Sequence, residues 1–328
     1  MTTHMARLLG RSTLRLVLLL IAVSIVSFIL LAHSPIDPID AYFANKTASA
    51  EQHALVAAYW GFDRPPLDRF LLWGGHILHG DFGMSFIYRA PVLDVIGEKF
   101  RLTLLLMMTA WALSGIIGFV LGVLSGMYRD SALDKAIQGF SLLCVSVPIF
   151  WLGLLFLMIF SVKLQWFPLA LAAPIGKLHE EVTLADQIRH LILPALTLSV
   201  TGISSITLQT REKLLEVMST NYMLFAEARG ESLWQRVRRH GLRNIALPAI
   251  TLQFASFNEL FGGAILAETV FSYPGLGGTV TLAGLRGDLS LLLGIAIFSA
   301  IFVFAGNLIA NILYGIADPR LREGRGAS

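Results

Sequence analysis

Three polar residues, Asn258, Glu259 and Glu268, lie inside an otherwise apolar stretch of the sequence. In a membrane-spanning segment a carboxylate is costly, and it marks a polar pathway or a buried partner. The two glutamates are nine residues apart, about 180° around a helix, so they cannot share one face. Glu259, beside Asn258, is the preferred pathway residue, with a structural hydrogen bond as its alternative. Glu268 is expected to anchor the turn "FSYPGLGG" that follows it.

The second group of polar residues is the charged segment "FAEARGESLWQRVRRHGLRNIALP", residues 225–248. Asn221 is expected to cap a short helix that ends at Gly230, and Ser232 to cap a second, basic helix that ends where an apolar span begins at Pro248. The first helix has an aromatic and small-residue face, formed by Tyr222, Phe225, Ala226 and Arg229. Such a helix can bind in the groove of a soluble partner. The simpler alternative is a loop whose arginines only fix membrane topology.

Motifs for enzymatic chemistry are absent or incomplete in the sequence. It contains neither a G-x-x-x-x-G-K-[ST] loop for nucleotide phosphates nor a G-x-S-x-G motif. Gly83-Met84-Ser85 is a bare G-x-S, and the last two predicted spans offer no histidine as its base. His76 and His79 are a possible metal contact on the outer surface, but ordinary loop histidines are favoured, and no metal site is predicted.

The composition indicates an all-α membrane protein. Hydrophobic residues make up 55% of the chain and charged residues 14%, against roughly 25% charged in soluble domains. The net charge of +3 does not imply a nucleic-acid partner. The single cysteine, Cys144, excludes an internal disulfide and is expected to be a small apolar side chain.

Six segments are long and apolar enough to cross roughly 30 Å of hydrocarbon. We place them at residues 13–32, 102–128, 136–162, 191–210, 246–270 and 289–317. Gly118, Gly122 and Gly126 recur every four residues and predict close helix packing. The distribution of Lys and Arg over the short loops places both termini in the cytoplasm. The predicted organisation is a terminus with the first helix (1–32), an extracytoplasmic cap (33–100) and a five-helix core (101–328) with a cytoplasmic loop at about 211–247.

Motifs along nearly the whole chain resemble one family. "AEARG" followed by "RHGLRNIALP" is similar to the EAA loop of permease subunits of bacterial ATP-binding-cassette (ABC) importers, in the peptide/nickel/opine branch. Further matches occur in the family's order: "SPIDP", "GFDRP", "HGDFGMS", "SVPIFWLG", "LAETVFSYPGLG" and "ADPRLR". The chain departs from the family pattern at Glu227, where a basic residue is usual, and at Pro35-Ile36 in place of P-G.

The resemblance implies a type I importer permease in the bacterial cytoplasmic (inner) membrane. A second homologous permease would complete the pore, two cytoplasmic ATPases would bind ATP and Mg²⁺, and an extracytoplasmic solute-binding protein would deliver a small peptide or a nickel or metallophore chelate. This chain would bind no cofactor. The implied ATPase-coupling residues are Tyr222, Phe225, Ala226, Glu227, Ala228, Arg229 and Gly230.

The basic helix after the coupling residues carries Arg236, Arg238, Arg239 and Arg243. These arginines would contact the ATPase, pair with local glutamates or face the headgroups of membrane lipids. Two other functions are kept open. An ion-coupled secondary transporter would work without partner ATPases, and a membrane enzyme would turn over a substrate as the purified chain alone.

Overall fold

Helices dominate the computed structural model, which describes residues 14–26, 29, 43, 49–60, 65–174, 176–177 and 179–317. The chain forms two compact units, Met1–Leu102 with Gly275–Ala305 and Thr103–Pro274 with Gly306–Ser328. The motif "SPIDP", most of "GFDRP" and "ADPRLR", and both chain termini lie outside the described residues. The predicted orientation of the termini therefore stays a prediction.

The described residues form α-helices that are joined by connections of differing length. In chain order they are α1 (Leu14–Val26), α2 (Ala50–Trp60), α3 (Pro66–Leu78), α4 (Val92–Met127), α5 (Ala132–Ser146), α6 (Ile149–Phe156), α7 (Leu184–Met218), α8 (Asn221–Ala228), α9 (Leu233–Arg236), α10 (Leu242–Ala255), α11 (Phe257–Val270), α12 (Leu276–Arg286) and α13 (Leu289–Ala317). A π-helical turn, Leu157–Lys163, extends α6, and another, Val237–Gly241, joins α9 to α10.

The first unit contains a small antiparallel hairpin, β1 (Met84–Ser85) with β2 (Ala90–Pro91). Ser85 Oγ donates to Asp288 Oδ2 at 2.6 Å, and the Asp288 carboxylate also accepts from the Leu291 N–H near the start of α13. Both side chains are buried. The serine of the bare G-x-S motif therefore fastens the hairpin to a helix N-terminus within this unit.

The second unit is built around α7, which contacts α5, α6, α10 and α11. The predicted glycine stripe on α4 is confirmed as a close-packing surface. A Cβ added at Gly122 would lie 2.6 Å from Thr210 Cβ, and one added at Gly118 would lie 2.8 Å from the Ile203 carbonyl oxygen. Only glycine permits this approach of α4 to α7. Cys144 is buried against Leu152 and Val200, as expected for a small apolar side chain.

Three helical segments of the described chain are long and apolar enough to cross a membrane: α4, α7 and Ser290–Ile309 of α13. The predicted third span is instead a broken pair, α5 and α6 with its π turn, bent by 110°. Val147 is extended before Pro148, which has no N–H to continue the helix. The pair raises the number of spans to four if it crosses as one.

The predicted fifth span is two 14-residue helices, α10 and α11, that meet at Ser256. Within the first predicted span the structure describes the shorter apolar helix α1. The count of six spans therefore stays a prediction.

The region predicted as a cap contains helix α2 and a turn at "HGDFGMS" with Gly80 and Gly83 at positive φ. Helix α4 begins ten residues before the predicted span, directly after the hairpin, so the predicted boundary at residue 100 lies inside a continuous helix. Helix α12 begins at Leu276, within the last part of the predicted turn "FSYPGLGG".

Candidate functional site

Helix α8 begins one residue earlier than expected. The residue at the N-cap is Thr220, in extended conformation (φ −75°, ψ 152°), and Asn221 is the first helical residue. The prediction that Asn221 caps the helix is therefore wrong. The Thr220 hydroxyl donates to the Val217 carbonyl at 2.6 Å, so it is used by the end of α7 and provides no side-chain cap for α8. A tight turn at residues 219–220 joins α7 to α8.

The C-terminal end of α8 is a Schellman motif centred on Gly230. The Gly230 N–H donates to the Glu227 carbonyl at 2.8 Å, and the Glu231 N–H to the Ala226 carbonyl at 3.1 Å. Gly230 has φ +84°, a conformation that costs little only for glycine. The predicted stop at Gly230 is confirmed, and the chain reverses there into the next helix.

The outward face of α8 differs from the predicted one. Met223 is buried against Leu214 and Val217 of α7 and Val237 and Ile245 of the following helix, and Ala226 is also buried. Ala226 therefore does not belong to the exposed face. That face consists of Leu224, Phe225 and Ala228, with Leu224 54% and Phe225 66% exposed. Spacing identifies residues that share a face, but long-range contacts decide which face packs.

Tyr222 lies at the edge of this surface, and its hydroxyl oxygen accepts from Asn244 Nδ2 at 3.0 Å. The same amide nitrogen donates to the His240 carbonyl at 2.8 Å. Because Asn244 is on α10, the bond ties the first turn of α8 to the helix that follows Gly230. Tyr222 therefore holds α8 in place as well as contributing exposed surface.

The segment after Gly230 is one continuous helical stretch, residues 233–255, which we call the return helix. Ser232 caps it as predicted, in a reciprocal capping box with Gln235. The predicted division between a basic helix and a span that begins at Pro248 is wrong, because Pro248 lies inside α10. Val237, Gly241 and Ile245 form the buried face of the return helix.

The arginines of the return helix differ in their partners. Arg236 is largely buried (side chain 12% exposed) and pairs with Glu227 of α8 at 2.8 Å. Arg239 lies 3.9 Å from Glu231, whose other oxygen is 3.3 Å from His240. Arg238 and Arg243 are exposed, as is Arg229 of α8. Glu227, the position that departs from the family pattern, thus pairs within its own chain.

A buried ion pair near the C-terminal end of α7 was not predicted from the sequence. Asp134 of α5 is fully buried and accepts from Arg211 of α7 through Nε at 2.7 Å and Nη2 at 2.8 Å. Ser125 of α4 donates to the same carboxylate. The pattern Ser131-x-x-Asp134 is a helix-start signature visible in the sequence, but it does not reveal a partner 77 residues away. The pair joins three helices at the end of α7 that leads into α8.

The three predicted pathway residues lie on α11. Glu259 is exposed and has no hydrogen-bond or ion-pair partner within the described residues. It lies on an exposed stripe with Gly262, Leu266 and Thr269. Glu268 is on the other side, fully buried, and accepts from Thr103 Oγ1 at 2.6 Å. Its backbone carbonyl accepts from the Tyr273 N–H at 2.8 Å.

The two glutamates are thus separated as their spacing predicts, with Glu268 held between α11 and α4 and only Glu259 accessible. The side chain of Asn258 lies outside the description.

Among the described residues, no group of three or more His, Cys, Asp or Glu side chains could hold a metal ion. His76 Nδ1 lies 3.2 Å from the Asp81 carboxylate, and His79 Nδ1 donates to the Gly75 carbonyl at 2.8 Å. Each histidine therefore has a local partner in the turn after α3.

Comparison with known proteins gives matches along the chain. Residues 118–323 match a family described as "Binding-protein-dependent transport system inner membrane component". The oligopeptide transport system permease protein AppB of Bacillus subtilis (strain 168) is 34% identical over 318 residues, 97% of this chain and 99% of that protein. The di/tripeptide transport system permease protein DppB of Pseudomonas aeruginosa (strain UCBPP-PA14) is 32% identical, over 92% of this chain and 95% of that protein.

The dipeptide transport system permease protein DppB of Escherichia coli (strain K12) is 31% identical, over 92% of this chain and 95% of that protein. A solved structure of the MetNI methionine ABC transporter in inward-facing conformations matches with a TM-score of 0.49 and 17% identity. The match covers 67% of this chain and 97% of that one.

Proposed function

The chain belongs to the family of binding-protein-dependent transport system inner membrane components, and from this membership we propose that it forms half of the pore of an ATP-driven importer. The resemblance to ABC importer permeases is thereby confirmed, and the chain is a transport permease, not an enzyme. In this proposal a second homologous permease completes the pore in a bacterial inner membrane. Six spans cross the bilayer, with both termini in the cytoplasm.

We propose that the cargo is a small peptide. The relatives that match over more than nine tenths of this chain are named for oligopeptide, di/tripeptide and dipeptide transport. No comparable observation favours the nickel or metallophore chelate that the sequence motifs left open. A solute-binding protein outside the membrane would deliver the peptide, and the stripe on α11 with Glu259 would line its path.

The outward face of α8 carries the proposal for energy coupling. Leu224, Phe225 and Ala228 form an apolar surface on a helix that is fixed on its other side by Met223 and Ala226. An exposed apolar helix face of this kind fits a groove of a soluble partner. The partner would be a cytoplasmic ATPase that binds ATP and Mg²⁺, so this chain itself would bind no cofactor.

The proposal is tested with the purified permease pair, its ATPases and its binding protein in proteoliposomes. Uptake of a labelled dipeptide should require ATP and persist when ionophores abolish ion gradients. Uptake that follows an ion gradient without the ATPases would establish the secondary transporter instead. Competition by unlabelled peptide but not by a nickel chelate would support peptide as cargo.

The coupling surface is tested by Phe225→Ala, with Trp234→Ala as the matched control. Both side chains are exposed aromatics of the same loop, but only Phe225 lies on the outward face of α8. Truncation of an interface aromatic commonly costs about 2 kcal/mol, so Phe225→Ala should weaken ATPase binding about thirtyfold. Equal binding by both variants and the unmodified protein would refute the coupling role of this face.

A further inference from the structure

The return helix carries a second exposed face that coupling through α8 does not use. Arg239, Arg243, Leu247 and Ile250 recur at i, i+4, i+8 and i+11 and are all exposed. They lie opposite the buried side chains of Val237 and Ile245. This basic–apolar face, as we call these four residues, begins with two guanidinium groups and ends with two aliphatic side chains. We propose that it binds the headgroup of an anionic phospholipid.

The charges on this face are available to a ligand. Arg243 has no ion pair within the part of the chain that the structure describes. Arg239 is 64% exposed, and its nearest carboxylate oxygen is 3.9 Å away on Glu231, which also lies beside His240. By contrast, the inward-facing Arg236 is paired with Glu227 at 2.8 Å. The guanidinium groups of Arg239 and Arg243 are therefore exposed, and they match phosphate oxygens in charge and geometry.

The spacing along the helix matches the depth of a bilayer interface. At 1.5 Å per residue, Arg243 and Ile250 lie about 10 Å apart along the axis. Leu247 and Ile250 are 46% and 53% exposed, so they are available to acyl chains while the arginines reach the phosphate layer. Basic side chains next to the cytoplasmic end of a span attract anionic lipids at about 1 kcal/mol each.

A lipid fits this face better than an ATPase does. A water-soluble ATPase can cover arginines, but it cannot reach aliphatic side chains that continue into the hydrocarbon layer. The outward face of α8, in contrast, consists of the apolar residues Leu224, Phe225 and Ala228. The face contains no acidic side chain, so its charge complements an anionic headgroup along its whole length. The two faces therefore serve different partners.

The experiment uses the complete importer in nanodiscs of phosphatidylcholine with or without phosphatidylglycerol. Retained phosphatidylglycerol is counted by native mass spectrometry and peptide-stimulated ATP hydrolysis is measured in parallel. Arg243→Gln should lower the retention of phosphatidylglycerol relative to phosphatidylcholine about fivefold, and adding Arg239→Gln should lower it further. The control is Arg129→Gln, which removes an exposed arginine that pairs with Asp130. Its lipid preference should equal that of the unmodified protein.

Three results would overturn the proposal. The first is an unchanged phosphatidylglycerol preference in Arg243→Gln, or an equal loss in Arg129→Gln. The second is weaker ATPase binding by Arg243→Gln in lipid-free detergent, which would make the ATPase the occupant. The third is loss of the second permease from the complex, which would make this face a subunit interface. Inorganic phosphate at millimolar concentration should not displace the lipid, and melting temperatures check that each variant is folded.

Discussion

Glu227 in the last turn of α8 and Arg236 at the end of α9 form an ion pair with 2.8 Å between Oε2 and Nη1. The pair connects α8 to α9 across the turn at Gly230. The hydrogen bond from Asn244 to Tyr222 connects the first turn of α8 to α10. Together with the buried Met223 and Ala226, these contacts fasten α8 to the return helix. A force applied to α8 is therefore carried into the return helix as well as into α7.

Removing the Glu227–Arg236 pair should loosen α8. The Arg236 side chain is mostly buried and its Nε has no hydrogen-bond partner within the described residues, whereas Glu227 is 57% exposed. Because solvent screens the carboxylate, a double-mutant cycle with Glu227→Gln and Arg236→Gln should give a coupling energy of about 0.5 kcal/mol, measured as the free energy of unfolding in detergent. Glu212→Gln, at an exposed carboxylate without this contact, serves as control, and a coupling energy of zero would show that the pair does not hold α8.

Gly230→Ala should destabilise the turn through backbone conformation alone. A Cβ at Gly230 would meet no atom within 4 Å, but its φ of +84° costs a residue with a side chain about 1 kcal/mol. Gly139→Ala is the matched control, because it also has open space but lies in helix α5, where alanine is favoured by nearly 1 kcal/mol. Thermal unfolding should move the two variants in opposite directions. A bulkier charged replacement, Gly230→Glu, should also separate ATP hydrolysis from peptide uptake, and unchanged uptake would contradict the coupling role.

Asp134→Asn should strongly destabilise the second unit. The substitution leaves the Arg211 guanidinium, which is 17% exposed, without its anionic partner at the junction of α4, α5 and α7. Breaking a buried pair by removal of one partner costs about 3 kcal/mol or more. Denaturant titration in detergent should detect the loss, whereas Asp130→Asn, at the exposed pair with Arg129, should stay within about 0.5 kcal/mol. Similar losses in both variants would mean that burial of Asp134 is unimportant.

The α11 stripe predicts a pattern of thiol reactivity in the assembled importer. In a Cys144→Ala background, Gly262→Cys and Leu266→Cys should react with charged, water-soluble thiol reagents at rates that change when ATP is trapped on the ATPases. Ala264→Cys, on the buried side of the same helix, should not react. Reaction at position 264 but not at 262 would place the water-filled passage on the other face.

The same assay tests the role of Glu259 in the passage. In a water-filled space, a unit charge about 6 Å from the thiol changes the energy of a charged reagent there by about 0.7 kcal/mol. Replacing Glu259 by glutamine should therefore change the reactivity of the thiol in Gly262→Cys. The ratio of its reaction rate with a cationic reagent to that with an anionic reagent should fall about three- to tenfold. An unchanged ratio would show that Glu259 does not face the passage.

Local sequence signals predicted the features that depend on neighbouring residues. The long apolar runs of α4, α7 and α13, the glycine stripe on α4, the stop at Gly230 and the cap at Ser232 all follow from composition or short-range spacing. The bend between α5 and α6 has a visible cause in Pro148, although the apolar run predicted one span there. The break at Ser256 has no comparable sequence signal.

Local sequence signals could not predict contacts between residues that lie far apart in the chain. Asp134 and Arg211 are 77 residues apart, and Ser85 and Asp288 are 203 apart, so no short motif pairs them. The exposed face of α8 was assigned incorrectly at Ala226 for the same reason. Ala226 is buried in the fold, although its spacing groups it with the exposed Tyr222 and Phe225. Helix periodicity groups residues by direction, but only the assembled fold selects the direction that points inward.

The unbroken course of the return helix gives the molecule a lever arm. Residues 233–255, which include the π-helical turn and Pro248, span about 35 Å at 1.5 Å per residue. A tilt of about 10° at the end fastened to α8 would displace the other end, at Ser256, by about 6 Å for a rod of that length. Helix α11 starts at Ser256 as a separate helix. The displacement can therefore change the angle between α10 and α11 without bending either helix. Small movements of α8 would thus be magnified before they reach the helix that carries Glu259.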